Sequence, residues 1–261
     1  MQALYIASTG MAAQEQNVNV ISNNIANMTT TGYKRQRAEF QDLLYQEYRR
    51  AGSDTSDSGT QLPVGIEIGS GVRLSSTTRD MSQGSVVSSG KDLDMAVQGD
   101  GYFVVDLPNG QTAYTRDGSF ERDGTGKIVT QDGYAVEPGI TIPDNASSIS
   151  ISSDGIVTGV VGTDTTPTQF GQLTLARFVN KGGLQSMGSN LFIATPSSGT
   201  AQNGVGNTDG MGTIMQSYLE SSNVDSVTEI SNLIAAQRAY EMNARVVTGA
   251  DQMLQTTTQM Q

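Results

Sequence analysis

Asp92 and Asp94, in KDLDMAVQGDGYF, are the nearest the chain comes to a pair of catalytic carboxylates. Two residues apart on a strand they would share a face, as paired acid–base chemistry requires. Nothing else in the sequence supports such a site. The chain has no His and no Cys. That removes the commonest general base, the commonest metal ligand and every thiol nucleophile. The segment GSVVSSGK, Gly84 to Lys91, fails as a phosphate loop. Five residues lie between its glycines rather than four, and Asp92 stands where Ser or Thr would meet magnesium. RDGTGK and GDGYFVVD set Asp beside Gly but lack the repeated acidic ligands of a calcium loop. They read as hairpin turns. No catalytic residue, metal site or cofactor is assigned, and an enzyme is not expected.

The only unusual polar pattern left is ISNNIANMTTTGYK, Ile21 to Lys34. Asn is a mediocre helix former, yet Asn23, Asn24 and Asn27 end an apolar run with helical spacing. Leu4, Met11, Val18 and Ile25 recur every seven residues, and Ala7, Gln14, Ile21 and Met28 follow three positions after each. This is a heptad seam with one polar interruption at Gln14. From Met1 to Asn27 the only charged side chain is Glu15. A solvated coiled coil would carry charges on its flanks, so contact with other protein on several sides is expected. Thr29 to Gly32 then ends the helix, with Gly32 free to turn left-handed and Tyr33 following it.

The far end is similar. A helix is expected from about Val224 to Gln259, with Asn223 at its N-cap region. Leu233, Tyr240, Val247 and Leu254 recur every seven residues, beside a second stripe of Val246, Met253 and Met260. Two matching seams predict that the terminal helices pair in a coiled-coil-like inner domain. The assembly surface is placed on Leu4, Met11, Val18, Ile21, Asn23, Asn24, Ile25 and Asn27 of the first helix. On the last helix it is placed on Leu233, Gln237, Arg238, Tyr240, Glu241, Val247 and Leu254. The asparagines would cross-link helices through amide hydrogen bonds and so favour one register. Plainer readings stay open: the asparagines merely cap one helix, and Gln237 to Glu241 lie on a solvated face around a local core.

The middle, about 50 to 215, reads as antiparallel β. Asp100-Gly101, Asn109-Gly110, Asp117-Gly118, Asp123-Gly124, Asp132-Gly133 and Asp154-Gly155 punctuate short strand-like runs. Hydrophobic residues are 36% of the 261, with 30 Gly and no Trp, which favours several thin β units over one large core. The expected class is therefore α+β and multi-domain. Residues 1–33 with 222–261 form a helical inner domain. Residues 34–80 with 200–221 form a connecting region with a long loop or β-hairpin near 46–63. Residues 81–199 form a β-rich outer domain. The Ser/Gly-rich stretches 50–63 and 197–213 read as linkers. The net charge of −11 argues against nucleic acid and anionic membranes. No apolar run is long enough to span a bilayer, and no cleavable secretory signal is visible.

Four segments, in order, resemble the axial rod and hook proteins of the bacterial flagellum. They are SNNIANMTTTGYKR, then AVQGDGYFVV with AYTRDGSFERDGTGKIVTQDGYAV, then SNVD, then LIAAQRAYEMNARVVTGADQML. KRQRAEFQDLLYQ, the loop after it and GSGV resemble the distal-rod members most. The resemblance implies a structural subunit that polymerises into a rigid hollow shaft carrying torque from motor to hook. It implies export without a cleaved signal, through the flagellar export apparatus, to a rod crossing the periplasm. It implies contact with copies of itself, proximal rod proteins, the hook or its junction, and the surrounding L/P ring proteins. A proximal rod or hook-like subunit is the alternative within the family. A secreted β-rich adhesin or binding module is the alternative outside it.

Overall fold

The computed structural model describes residues 2–52, 63–162 and 166–259. Helix α1 spans Gln2–Ala26 and helix α2 spans Ser226–Gln259. Between them lie short, almost wholly antiparallel strands, so the chain is α+β. It divides into two compact units. One holds Met1–Ile25, Gln36–Thr78 and Asp225–Gln261; the other holds Ala26–Arg35 and Arg79–Val224. Residues 200–221 thus fall with the β-rich body, and the strand Gln202–Gly204 pairs with Leu175–Arg177. The reading of 197–213 as a linker is corrected there, because a strand and several turns fill that stretch.

In the first unit the strands begin sooner than the sequence suggested. β1 (Gln36–Asp42) and β2 (Tyr45–Arg49) follow α1, and β3 (Ile66–Gly69) and β4 (Val72–Arg79) return. β1 pairs with β4, and β2 pairs with β3 from Tyr45↔Gly69 to Arg49↔Ile66. The stretch 46–63 therefore starts in a strand, while residues 53–62 lie outside the described residues. Both strands of the β2–β3 ribbon are exposed almost throughout, so periodicity had no buried face to report.

In the second unit a nine-stranded sheet has Tyr102–Asp106 at its centre, paired with Thr112–Thr115 from Phe103↔Thr115 to Asp106↔Thr112. Alternate residues of that strand enter different cores. Phe103 joins Met95, Ile128, Ile142 and Leu175, whereas Tyr102 and Val104 join Tyr114, Phe178 and Phe192. A strand buried on both faces needs a continuous apolar run, which explains YFVV. Tyr114 and Phe178 meet edge to face with centroids 4.7 Å apart. A separate three-stranded sheet runs through Ala146–Ile151, Ile156–Val161 and Thr168–Gln172. The turn at Asp123 is an Asx-type hairpin turn: its Oδ1 accepts from the Thr125 N–H at 2.8 Å and the Lys127 N–H at 2.9 Å.

A buried ion cluster closes this unit where its chain segments come together. The Glu220 carboxylate accepts from Lys34 Nζ at 2.5 Å, Gly84 N–H at 2.9 Å and Arg116 Nη1 at 3.3 Å. Lys34 also donates to the Ser82 carbonyl, and Arg116 to the Val97 and Gly99 carbonyls. Glu220, Lys34 and Arg116 are 1%, 3% and 4% exposed, so none is solvated. Burial pushes the Lys34 amine below the ordinary lysine value, and the neighbouring Glu220 opposes that. The backbone follows the side chains: Gly32 N–H donates to the Glu220 carbonyl and Arg35 N–H to Asn223 Oδ1. Gly32 sits at φ +67°, and a Cβ there would lie 2.7 Å from the Asp117 nitrogen, so only glycine fits. Replacing Glu220 with Ala strands two buried cations. It is expected to cost roughly 3–5 kcal/mol in urea unfolding of the β-rich unit. Replacing exposed Glu47, which pairs with Arg50, is expected to cost less than about 1 kcal/mol.

Candidate assembly interface

Asn24 organises the first unit. Its Oδ1 accepts from the Gln36 N–H at 2.9 Å, and its Nδ2 donates to the Gln36 carbonyl at 2.8 Å. One side-chain amide thus satisfies both backbone groups of the first residue of β1. The same Nδ2 donates to Glu229 Oε2 at 3.1 Å, joining α1 to α2. Asn24 and Glu229 are each buried. A second close approach lies further along: a Cβ on Gly10 would fall 2.8 Å from Asn243 Nδ2. Gly10 precedes Asn24 by fourteen residues and Asn243 follows Glu229 by fourteen. The helices therefore run antiparallel through two heptads, roughly 21 Å of axis, with no slip in register.

Small and amide residues line this side of both helices. Gly10, Asn17 and Asn24 recur at seven on α1; Ala236, Asn243 and Ala250 recur at seven on α2. Ala236 and Ala250 are buried, as are Ala7 and Ala13 of α1. The apolar heptad count took in Ala7 but passed over Gly10, Ala13, Asn17, Ala236, Asn243 and Ala250, because Gly, Ala and Asn carry little hydrophobic signal. Their seven-residue recurrence was the signal available.

The residues singled out from the sequence fall at different depths. Ile21 and Asn24 are buried, and Leu4, Met11, Val18, Ile25 and Asn27 are half-buried. Asn23 is exposed. On α2, Leu233 and Val247 are half-buried, whereas Tyr240 and Leu254 are 45% and 41% exposed. Gln237, Arg238 and Glu241 are exposed, and so are Val246 and Met253 of the second stripe. Met260 lies outside the described residues. Gly32 is buried and Tyr33 half-buried. Asp94 is buried while Asp92 is exposed, so the two carboxylates do not share an environment.

The N-terminus of α2 is capped by Asp225, two residues past the Asn223 expected there. Asp225 Oδ1 accepts from the Thr228 N–H at 2.7 Å. Asn223 instead donates to the Asp80 and Ser82 carbonyls. The Thr228 hydroxyl and N–H hold the Asp225 carboxyl below its usual value of 3.8.

Three family models match the chain. One described as the flagella basal body rod protein covers residues 4–34. One described as the flagellar hook protein FlgE/F/G D1 domain covers 96–159, and one described as the flagellar basal body rod FlgEFG protein C-terminal covers 215–260. The flagellar basal-body rod protein FlgG of Caulobacter vibrioides is 53% identical over 260 residues, covering 100% of this chain and 99% of the relative. The chain belongs to the FlgG family of flagellar basal-body rod proteins. The FlgG proteins of Agrobacterium fabrum and Borreliella burgdorferi are 49% and 43% identical, each covering 97% of the chain, and 97% and 96% of the relatives. The resemblance read from the sequence holds, and the matched spans contain the segments that carried it. Membership makes the chain a structural subunit of the flagellar basal-body rod. Among the described residues no helix is long and apolar enough to cross a membrane.

Asp225 supplies a pH test. Its folded-state value is depressed, so its contribution to stability is present above the unfolded value near 3.8 and is lost as pH falls through the folded one. Asn caps as well as Asp but does not titrate. In urea unfolding followed by helical circular dichroism, wild type is expected to exceed Asp225→Asn at about pH 7. The advantage should vanish or reverse by about pH 2, below the carboxylate range.

Proposed function

We infer that the chain polymerises into the distal part of the rod, as a rigid hollow helical shaft carrying torque from motor to hook. The observation that carries this reading is the in-register approach of α2 to α1, a helix whose only charged residue is Glu15. Such helices in isolation draw too little stability from propensity alone. In this reading they pair as a coiled coil in the inner layer of a tube, and neighbouring copies cover their other faces. Family membership supports the setting. The β-rich unit, with its own hydrophobic cores and buried ion cluster, forms the outer body of each subunit.

The partners follow from the place: copies of the same chain, proximal rod proteins on one side, the hook or its junction on the other, and L/P ring proteins around. The chain reaches that place through the flagellar export apparatus without a cleaved signal. A subunit threaded unfolded gains from having no cysteine to oxidise.

Replacing Leu233 and Val247 together with Asp tests the helical layer. The strand-rich circular dichroism and thermal transition of the β-rich unit should persist, while electron microscopy should find no rods. Normal rods from that variant would overturn the inner-layer assignment.

A further inference from the structure

Each terminal helix has a second face, turned away from the Asn24–Glu229 side, and the two second faces differ in kind. On α2, Val227, Ile234, Arg238 and Arg245 fall within about 40° of one another at 3.6 residues per turn. All four are exposed, Val227 to 71%. On α1, the corresponding exposed face carries Ser8, Ala12, Glu15, Asn19 and Ala26 within about 60°. The α2 face is bulky, whereas the α1 face, past the exposed Tyr5 at its N-terminal end, is built of small side chains apart from Glu15 and Asn19. Their charges are also opposite. Glu15 is the only charged residue of α1, and Arg238 and Arg245 are the only cations of α2. None of the three joins an ion pair among the described residues.

We propose that the small-residue face of α1 in one copy docks on the bulky face of α2 in a second copy, with Glu15 set against Arg238 and Arg245. This rests on the rod-subunit reading and names the contact it requires. The small side chains of α1 let the Val227 and Ile234 side chains seat closely. The two arginines, seven residues and roughly 10 Å apart, flank Glu241 and leave the face net positive. Glu15 answers that excess. An ion pair at such a contact fixes register and rejects wrong pairings more than it adds affinity. The contact is heterologous: it uses different surfaces on the two copies, and so propagates instead of closing. An isologous α1–α1 contact would place Glu15 against Glu15 and close a dimer.

The test compares polymerisation of four full-length proteins by sedimentation and electron microscopy. They are wild type, Glu15→Arg, the pair Arg238→Glu with Arg245→Glu, and all three substitutions together. All three positions are exposed in the subunit, and circular dichroism checks that each variant folds. Glu15→Arg and the arginine pair are each expected to raise the critical concentration at least about tenfold, and the combination to restore it. Filaments from Glu15→Arg at the wild-type critical concentration would overturn this contact and leave the rod reading standing. So would a combination that polymerises no better than its parts. Absence of filaments from wild type would instead defeat the rod reading, and this contact with it.

Discussion

The buried carboxylate of Glu220 is the constraint around which the β-rich unit is arranged. Removing a carboxylate, an ammonium and a guanidinium from water is expensive, and mutual attraction repays it only when the remaining donors and acceptors are also satisfied. Here a glycine N–H also donates to the carboxylate, and the Ser82, Val97 and Gly99 carbonyls accept hydrogen bonds from the two cations, while Arg116 Nε is buried with no hydrogen-bond partner among the described residues. The geometry leaves little freedom. Lys34 follows α1 closely and Glu220 shortly precedes α2, so the cluster brings the chain leaving one helix beside the chain entering the other. The Gly32–Glu220 and Arg35–Asn223 hydrogen bonds extend that apposition along the backbone. A hydrophobic cluster of equal volume could hold these segments as firmly. It would not specify so narrowly which residues meet.

The helical unit solves a related problem with amides instead of ions. Gly10 admits the Asn243 side chain, and the Asn24 amide both donates to and accepts from the Gln36 backbone while donating to Glu229. Bulky apolar seams slide in register at modest cost, because one leucine replaces another. A buried amide that loses its partners costs about 1–3 kcal/mol, so each such contact penalises a slip. Asn24 penalises a slip in this way, and fourteen residues away the close approach of the half-buried Asn243 to Gly10 adds a steric check on the same register. The three asparagines closing the first helix are thus divided in purpose. Asn24 is buried between elements, Asn27 takes the Thr30 hydroxyl and N–H as the helix ends, and Asn23 stands exposed.

Much of the architecture was legible because its cues are local. Asp-Gly and Asn-Gly turns, the apolar run YFVV and the uncharged heptads each report their own neighbourhood. What escaped was non-local. β1 and β2 carry mixed polar residues with no buried face, so no periodicity marked them. Lys34, Arg116 and Glu220 look like three ordinary surface charges until the fold brings them together. Glu229 reads as a solvated helix charge, yet it is buried on the partner of Asn24. The cap was assigned to Asn223 because Asn and Asp compete for that role on equal terms. The structure gives Asn223 to the Asp80 and Ser82 carbonyls, and Asp225 takes the helix.

The same limit explains why depth was misjudged on α2. A heptad count selects large apolar side chains, so it favoured Tyr240 and Leu254, both substantially exposed, over Ala236 and Ala250, both buried. Small residues face the neighbouring helix because only they allow close approach, and the large ones are displaced toward the flanks. A helix that must be covered on more than one side distributes its residues in this way. Its tightest contact is built from alanine, glycine and asparagine, and its bulk is left for contacts made elsewhere. For a subunit of an open-ended assembly that division is an advantage. The Asn24–Glu229 and Gly10–Asn243 contacts do not use Tyr240 or Leu254, so those exposed side chains remain available when the next copy arrives.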